Sequence, residues 1–309
     1  MSADPLVSVV IPAYNAEKTI RNAIDSVLGQ TMSNLEVIVV DDASTDGTVH
    51  AVEAVDDPRV RLLRSRRNSG PSAARNVGVK SAEGYWVAFL DADDEWVPDR
   101  LEHLLEAAEE TECFVADWFA PCRPGADGRL TPLELPTLPA QPLVENFDLT
   151  EFVKWGMCVF PIVPRAVLRR HGIGFPEWGS GGDWTFLIAR LSATGIRGKL
   201  LHRVGILYRV TGAHRSSTLC STEEELKIAE FLAADPEVPE AAKQWFRKQV
   251  PVIRERLVLA ALRERKWGKF AYYARQHPGD LMSIPTTVVR FLRRWIRYLA
   301  ASRSAPVTW

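Results

Sequence analysis

Short apolar runs rich in β-branched residues recur along the first hundred positions, and each ends in a polar cluster. VSVVIPAY (7–14), LEVIVV (35–40), VRLLR (60–64) and YWVAFL (85–90) share this form. A run that is apolar throughout, rather than at alternate positions, predicts a strand covered on both faces. The segments between them have helical spacing. Ile20, Ala23, Ile24, Val27 and Leu28 form one stripe, with Asn15 placed to cap that helix and Gly29 to close it. PSAARNVGVKSA (71–82) predicts a helix with Pro71 in its first turn, and another follows Pro98 with Leu101, Leu104, Leu105 and Ala108. Alternating strands and helices imply an α/β chain with a doubly wound, mostly parallel sheet. In such sheets ligands sit beyond the carboxyl ends of the strands. Tyr14-Asn15, Asp41-Asp42 and the acidic stretch Asp91 to Asp94 all fall there.

After residue 112 the pattern loosens. FVADWFA reads as a strand, and a proline-rich excursion between 121 and 142 follows. Helices are expected around 149–156 and 165–171, a strand near 158–163, and a Gly-rich loop, EWGSGGD, before a helix from Trp184 to Ala193. A strand near 200–210 completes a first domain, 1–216, divided at about 112 into two halves. From Ser221, which forms a capping-box pattern with Glu224, the chain reads as helices to the end, so 217–309 is expected to be a helical extension.

Composition narrows the function. The chain has 309 residues, 46% of them hydrophobic, enough for a full core. Its 38 basic and 39 acidic residues leave a formal charge of -1, so no global field argues for nucleic acid. Cys113, Cys122, Cys158 and Cys220 are scattered without a CxxC pair, which argues against a zinc site or a disulfide framework and for reduced thiols in the cytoplasm. The first residues lack a secretory pattern, and no stretch has the length of uncharged apolar sequence that a spanning helix needs.

Three polar constellations lie at the expected sheet edge. Asp91-Ala92-Asp93, followed by Asp94, gathers carboxylates of the kind that hold Mg²⁺ or Mn²⁺ against substrate phosphates. Alone, such a cluster is equally a solvated acidic turn. Asp41-Asp42-Ala43-Ser44-Thr45-Asp46-Gly47-Thr48 offers Asp42 to a base or ribose and leaves helix capping to Ser44 or Asp46. In Asn68 to Gly78 the small residues permit a close backbone approach, and Arg75 presents a fork of donors.

Taken in order, VSVVIPAYN (7–15), VIVVDDASTDGT (37–48), NSGPSAARNVG (68–78) and FLDADDEWVPDRL (89–101) resemble the family 2 inverting glycosyltransferases of GT-A fold over residues 5 to 215. The resemblance implies a nucleotide diphosphate sugar donor, a divalent metal cofactor and a hydroxyl-bearing glycan or lipid-linked acceptor. Pro12, Tyr14 and Asn15 would line the base and ribose pocket, with Tyr14 stacked on the base. Asp42 would contact the base, which suggests uracil or thymine. Arg75 would lie beside the nucleotide. Asp91 would hold the ribose or lie near the metal, and Asp93 would bind the metal. The family's Glu-Asp pair reads Gly182-Asp183 here; Asp183 keeps the general-base position, and Glu177 is the nearest substitute. In the loop near Tyr208 to Ser217, His214 is the candidate metal ligand and Arg215 the diphosphate contact.

Two competing readings remain. A sugar-phosphate nucleotidyltransferase would want a Gly-rich, lysine-bearing loop in place of Pro12-Ala13-Tyr14-Asn15. A non-catalytic relative would bind sugar nucleotide or a partner without transfer, and the acid missing at Gly182 is its support. The tail VVRFLRRWIRYL (288–299) places Val288, Leu292, Trp295 and Leu299 on one helical side and Arg290, Arg293, Arg294 and Arg297 on the other. Such a helix either docks on an anionic membrane surface, here the inner face of the cell membrane, or packs its stripe on the catalytic domain.

Overall fold

A computed structural model describes residues 5–108, 112–126, 128–133, 135–138, 142–155, 160–176, 183–210 and 219–276. The tail 288–299, Glu177, Gly182, His214 and Arg215 lie outside these residues, as does the expected domain boundary at 216.

The four apolar runs are strands: β1 (Val7–Ala13), β2 (Leu35–Asp41), β3 (Val60–Arg64) and β4 (Trp86–Phe89). They pair in parallel in the order β3-β2-β1-β4, and every residue of β1, β2 and β4 is buried. The register Val7↔Leu35 through Ala13↔Asp41 brings the ends of β1 and β2 level, so both chains leave the sheet together at its carboxyl edge. Between the strands run α1 (Ile20–Leu28), α2 (Thr48–Glu53) and α3 (Pro71–Ser81). Gly78 lets α3 lie directly on β1, since a Cβ there would stand 2.3 Å from Val10 Cγ1.

Asn15 does not cap α1, whose N-cap is Thr19. Asn15 takes a left-handed φ of 52°, tolerated by its short polar side chain, and turns toward the loop after β2 instead.

The second half builds another layer. After the short β5 (Glu95–Trp96) and α4 (Arg100–Ala107), the long β6 (Cys113–Pro124) folds back through β7 (Leu130–Pro132). Then follow β8 (Leu143–Val144), α5 (Leu149–Trp155), β9 (Val163–Pro164), α6 (Arg165–Arg170), α7 (Asp183–Ala193) and β10 (Arg197–Arg209). β9 extends the first sheet, antiparallel to β4, while β5-β10-β6-β7 form a second, mixed sheet with β8 on β10. Of the strands expected after residue 112, those at 114–120 and 200–210 form a sheet of their own, while the one near 158–163 is displaced to β9 and joins the first sheet. The two layers are tied by the Val115–Ile162 bridge and by Arg100, which is fully buried and bidentate on Asp117 and donates to the Phe160 carbonyl. Gly205 makes room for that ion pair: a Cβ there would stand 1.7 Å from Asp117 Oδ2.

The helical extension is α8 (Leu219–Ala234), α9 (Glu240–Arg263) and α10 (Trp267–Gln276). α8 begins at Leu219, so Ser221 lies inside the helix and is not its cap. The extension packs on α7 through Phe186 against Phe231 and through Arg190 against Asp235 and Glu237. Among the described residues no helix is long and apolar enough to cross a membrane.

Candidate active site

The carboxyl edge of the first sheet is sewn together by side chain-to-backbone bonds. The Asn15 N–H donates to Ser44 Oγ (2.9 Å), and Asn15 Oδ1 accepts from the Thr45 N–H (2.8 Å). The Ala16 N–H donates to Thr48 Oγ1 (2.7 Å), and the Gly47 N–H donates to Glu17 Oε2 (2.9 Å). Asp46 accepts from the Thr48 N–H at 3.0 Å, but the N-cap of α2 is Gly47, so neither Asp46 nor Ser44 is the cap expected from the sequence. Asn15 and Ala43 both have positive φ, 52° and 61°. For alanine this costs roughly 1–2 kcal/mol. Pro12 is buried under this edge, whereas Tyr14 stands 46% exposed above it.

Asp42 is buried, and its carboxylate is already engaged. Oδ1 and Oδ2 share the Ser69 N–H at 3.0 Å, and Oδ2 also accepts the Gly70 N–H at 2.7 Å. Asp42 thus pins the turn before α3, where Gly70 has φ 89°. A carboxylate offers about four lone-pair positions, so capacity for a base N–H remains. The anchoring role was missed in the sequence. The turn Asn68-Ser69-Gly70, which brings no cap of its own to α3, was the available signal.

Arg75 lies beneath the edge rather than on it. Its residue is 3% exposed, and Nη2 meets Asp91 Oδ1 at 2.5 Å. The guanidinium stacks on Phe175 and Trp184, 5.2 and 4.6 Å from their ring centres. Such a paired and stacked arginine fixes the carboxylate it holds.

Past β4 the acids diverge. Asp91 is partly exposed, Asp93 is exposed and Asp94 is buried. Asp94 Oδ1 accepts the Arg209 N–H at 2.8 Å, and Oδ2, equally buried, has no hydrogen-bond partner among the described residues. Burial first, then the charges of Asp93 and Asp91, push the Asp94 carboxyl well above the usual carboxylate range. The Arg209 Nε–H donates to the Asp93 carbonyl at 2.8 Å, so the end of β10 braces this turn. Arg209 was not singled out from the sequence, because its contact with Asp93 joins positions 116 apart.

The donor set suits a hard divalent ion. Asp91 and Asp93 would supply carboxylate oxygens to it at an edge where Asp93 is exposed, and a cation there would offset the crowding around Asp94. Among the described residues no three His, Cys, Asp or Glu side chains make a protein-only cage. An ion held here would complete its shell with substrate oxygens. Asp183, the expected base, is the first residue of α7, one earlier than the predicted helix start, and its neighbour Trp184 is the ring under Arg75.

A parallel sheet ordered 3-2-1-4 with acids at its carboxyl edge and a second mixed sheet beside it is a GT-A-type architecture. A family model described as "Glycosyl transferase family 2" matches residues 8–170. The chain is 36% identical over 214 residues to the succinoglycan biosynthesis protein ExoO of Rhizobium meliloti, covering 67% of this chain and 61% of ExoO. It is 46% identical over 99 residues to WfgD of Escherichia coli, named a UDP-Glc:alpha-D-GlcNAc-diphosphoundecaprenol beta-1,3-glucosyltransferase, covering 32% of this chain and 39% of WfgD. The chain thus spans less than two thirds of either relative. Its fold matches S. aureus TarS 1-349 in complex with UDP-GlcNAc, with a TM-score of 0.62 and 22% identity over 88% of this chain and 91% of that fragment. The chain belongs to glycosyl transferase family 2.

Proposed function

We propose that this protein is an inverting, metal-dependent glycosyltransferase. It moves a sugar from a UDP- or dTDP-linked donor to a hydroxyl of a glycan or lipid-linked acceptor in surface polysaccharide or glycoconjugate synthesis. The observation that carries the reading is the single edge where Tyr14, Asn15, Asp42, Asp91 and Asp93 converge at the ends of β1, β2 and β4. A UDP-linked donor is favoured by the names of WfgD and of the TarS complex. A lipid diphosphate acceptor is favoured by WfgD.

In this mechanism Tyr14 stacks on the base, Pro12 and Asn15 shape its pocket, and Asp42 accepts the base N–H on its remaining lone pair. Asp91, held by Arg75, faces the ribose and the diphosphate. Mn²⁺ or Mg²⁺, held by Asp93 and Asp91 with His214, would supply electrostatic stabilisation of the diphosphate leaving group. Arg215 contacts that diphosphate. Asp183 takes the acceptor hydroxyl proton as the oxygen attacks the anomeric carbon from the face opposite the leaving group. The ring passes through an oxocarbenium-like state and its configuration inverts. Transfer takes place on the cytoplasmic side of the cell membrane in this reading, and 288–299 either docks on that surface or packs on the catalytic domain.

The test measures UDP release from UDP-glucose, UDP-galactose and UDP-GlcNAc, and dTDP release from dTDP-glucose, with Mn²⁺ or Mg²⁺ added or chelated. Metal-dependent release from at least one donor is expected. Binding of a nucleotide without release from any donor would leave a sugar-nucleotide-binding protein instead of an enzyme.

A further inference from the structure

The motif Arg75-Asn76 on α3 does something the nucleotide reading does not absorb. Asn76 turns away from the base edge and grips the backbone of Phe175. Its Nδ2–H donates to the Phe175 carbonyl at 2.9 Å, and its Oδ1 accepts the Phe175 N–H at 2.7 Å. One side-chain amide thereby satisfies both polar groups of a residue 99 positions away, as a neighbouring strand would. Gly174 is shaped for this clasp, since a Cβ on it would stand 2.8 Å from Asn76 Oδ1. The next residue back on α3, Arg75, holds Trp184 by stacking at 4.6 Å. Phe175 and Trp184 also pack edge to face, with ring centres 5.1 Å apart, and both meet Phe89 at the end of β4. Residues 177–182, which lead into Asp183, are therefore flanked by two points that α3 fixes.

We propose that Asn76 is a positioning residue for the transfer step. With Arg75 it sets where the start of α7, at the base Asp183, stands relative to the donor edge, and it does so without touching the nucleotide. This rests on the sugar-transfer reading above. Because α3 also carries the turn pinned by Asp42, one helix would carry the spacing between donor and base. Small misplacements of a base are costly, on the order of 10–100-fold for shifts near 1 Å.

The test uses the full chain with Asn76→Ala and, separately, Gly174→Ala, which leaves the amide in place but pushes it aside. Hydrogen exchange at the Phe175 amide, UDP affinity with Mn²⁺, and kcat and KM for the UDP-sugar that the wild type cleaves fastest are measured. Expected are exchange at Phe175 faster by about tenfold or more, kcat lower by about 10–100-fold, and UDP affinity and KM unchanged within about threefold. The double variant should be no worse than either single one, because both break one clasp. Unchanged exchange, unchanged kcat, or kcat and UDP affinity falling together would each overturn the positioning role. A wild type that neither binds UDP nor cleaves any UDP-sugar would sink the transfer reading itself, a result separable from wild-type turnover with unaffected variants.

Discussion

The two ends of the parallel sheet both carry buried acids, and they treat them in opposite ways. At the amino end Glu36 of β2 is bonded on both carboxylate oxygens. Its Oε1 accepts from Ser8 Oγ (2.6 Å) and the Glu83 N–H (2.8 Å), and its Oε2 accepts from Arg61 (2.7 Å). Ser8 in turn accepts the Gly84 N–H, and Gly84 must be glycine because a Cβ would stand 2.6 Å from the Ser8 nitrogen. Burial would raise the Glu36 carboxyl, but hydrogen bonds from Ser8, Glu83 and Arg61 outweigh it and hold the pKa below the ordinary 4.5. At the carboxyl end Asp91, Asp93 and Asp94 crowd one turn, Asp94 keeps a buried oxygen unpartnered, and its pKa moves up. Glu36 serves the fold, with both its oxygens held from within the chain. The unpartnered oxygen of Asp94 is a cost that a ligand bound at the carboxyl edge would offset.

This contrast can be broken at several points. The largest effect is expected beside the carboxyl edge, where Asp183→Asn should lower transfer by ~10²–10⁴-fold. UDP binding should survive, as measured by calorimetry; a variant within a few-fold of wild type would remove the base assignment. Next, Asp93→Ala should weaken UDP binding in Mn²⁺ by about 10–100-fold while leaving the melting temperature in place. Loss of fold stability instead would make Asp93 an acid of the amino-end kind.

At the amino end the expectation reverses. Glu36→Ala leaves the Ser8 hydroxyl and the Glu83 N–H without their acceptor and should cost on the order of 1–3 kcal/mol in denaturant unfolding, with UDP affinity unchanged. The smallest effect is on acid stability. Because the folded pKa of Glu36 lies below its unfolded value, its contribution is present above about pH 4.5 and is lost as pH falls through the folded value. Glu36→Gln should flatten that part of the stability curve, and an unaltered slope would assign acid sensitivity elsewhere.

How much of this was legible follows from sequence separation. The four parallel strands, and the polar clusters at their ends, announce themselves through local runs and turns. Arg75 was visible as a candidate, but its burial under Asp91 depends on rings at 175 and 184. Asp42 was recognised as an edge acid, yet its hold on Ser69 and Gly70 arises only once β2 and α3 are adjacent. Glu36 reads as an odd charge in an apolar strand, since its partners lie 25 to 47 positions away. The second sheet is least legible: β6 and β10 pair with register shifts between Leu200 and Ile206, and such irregular pairing leaves no clean period in the sequence. Ser221 misled as a cap because the local pattern is present while the helix starts two residues earlier.

The most direct test is a structure of the full chain with UDP and Mn²⁺. The account predicts uracil stacked on Tyr14 with its N–H on Asp42, and the diphosphate joined to Asp93 through the ion. A nucleotide seated away from Tyr14 and Asp42, or an ion bound without Asp93, would contradict it.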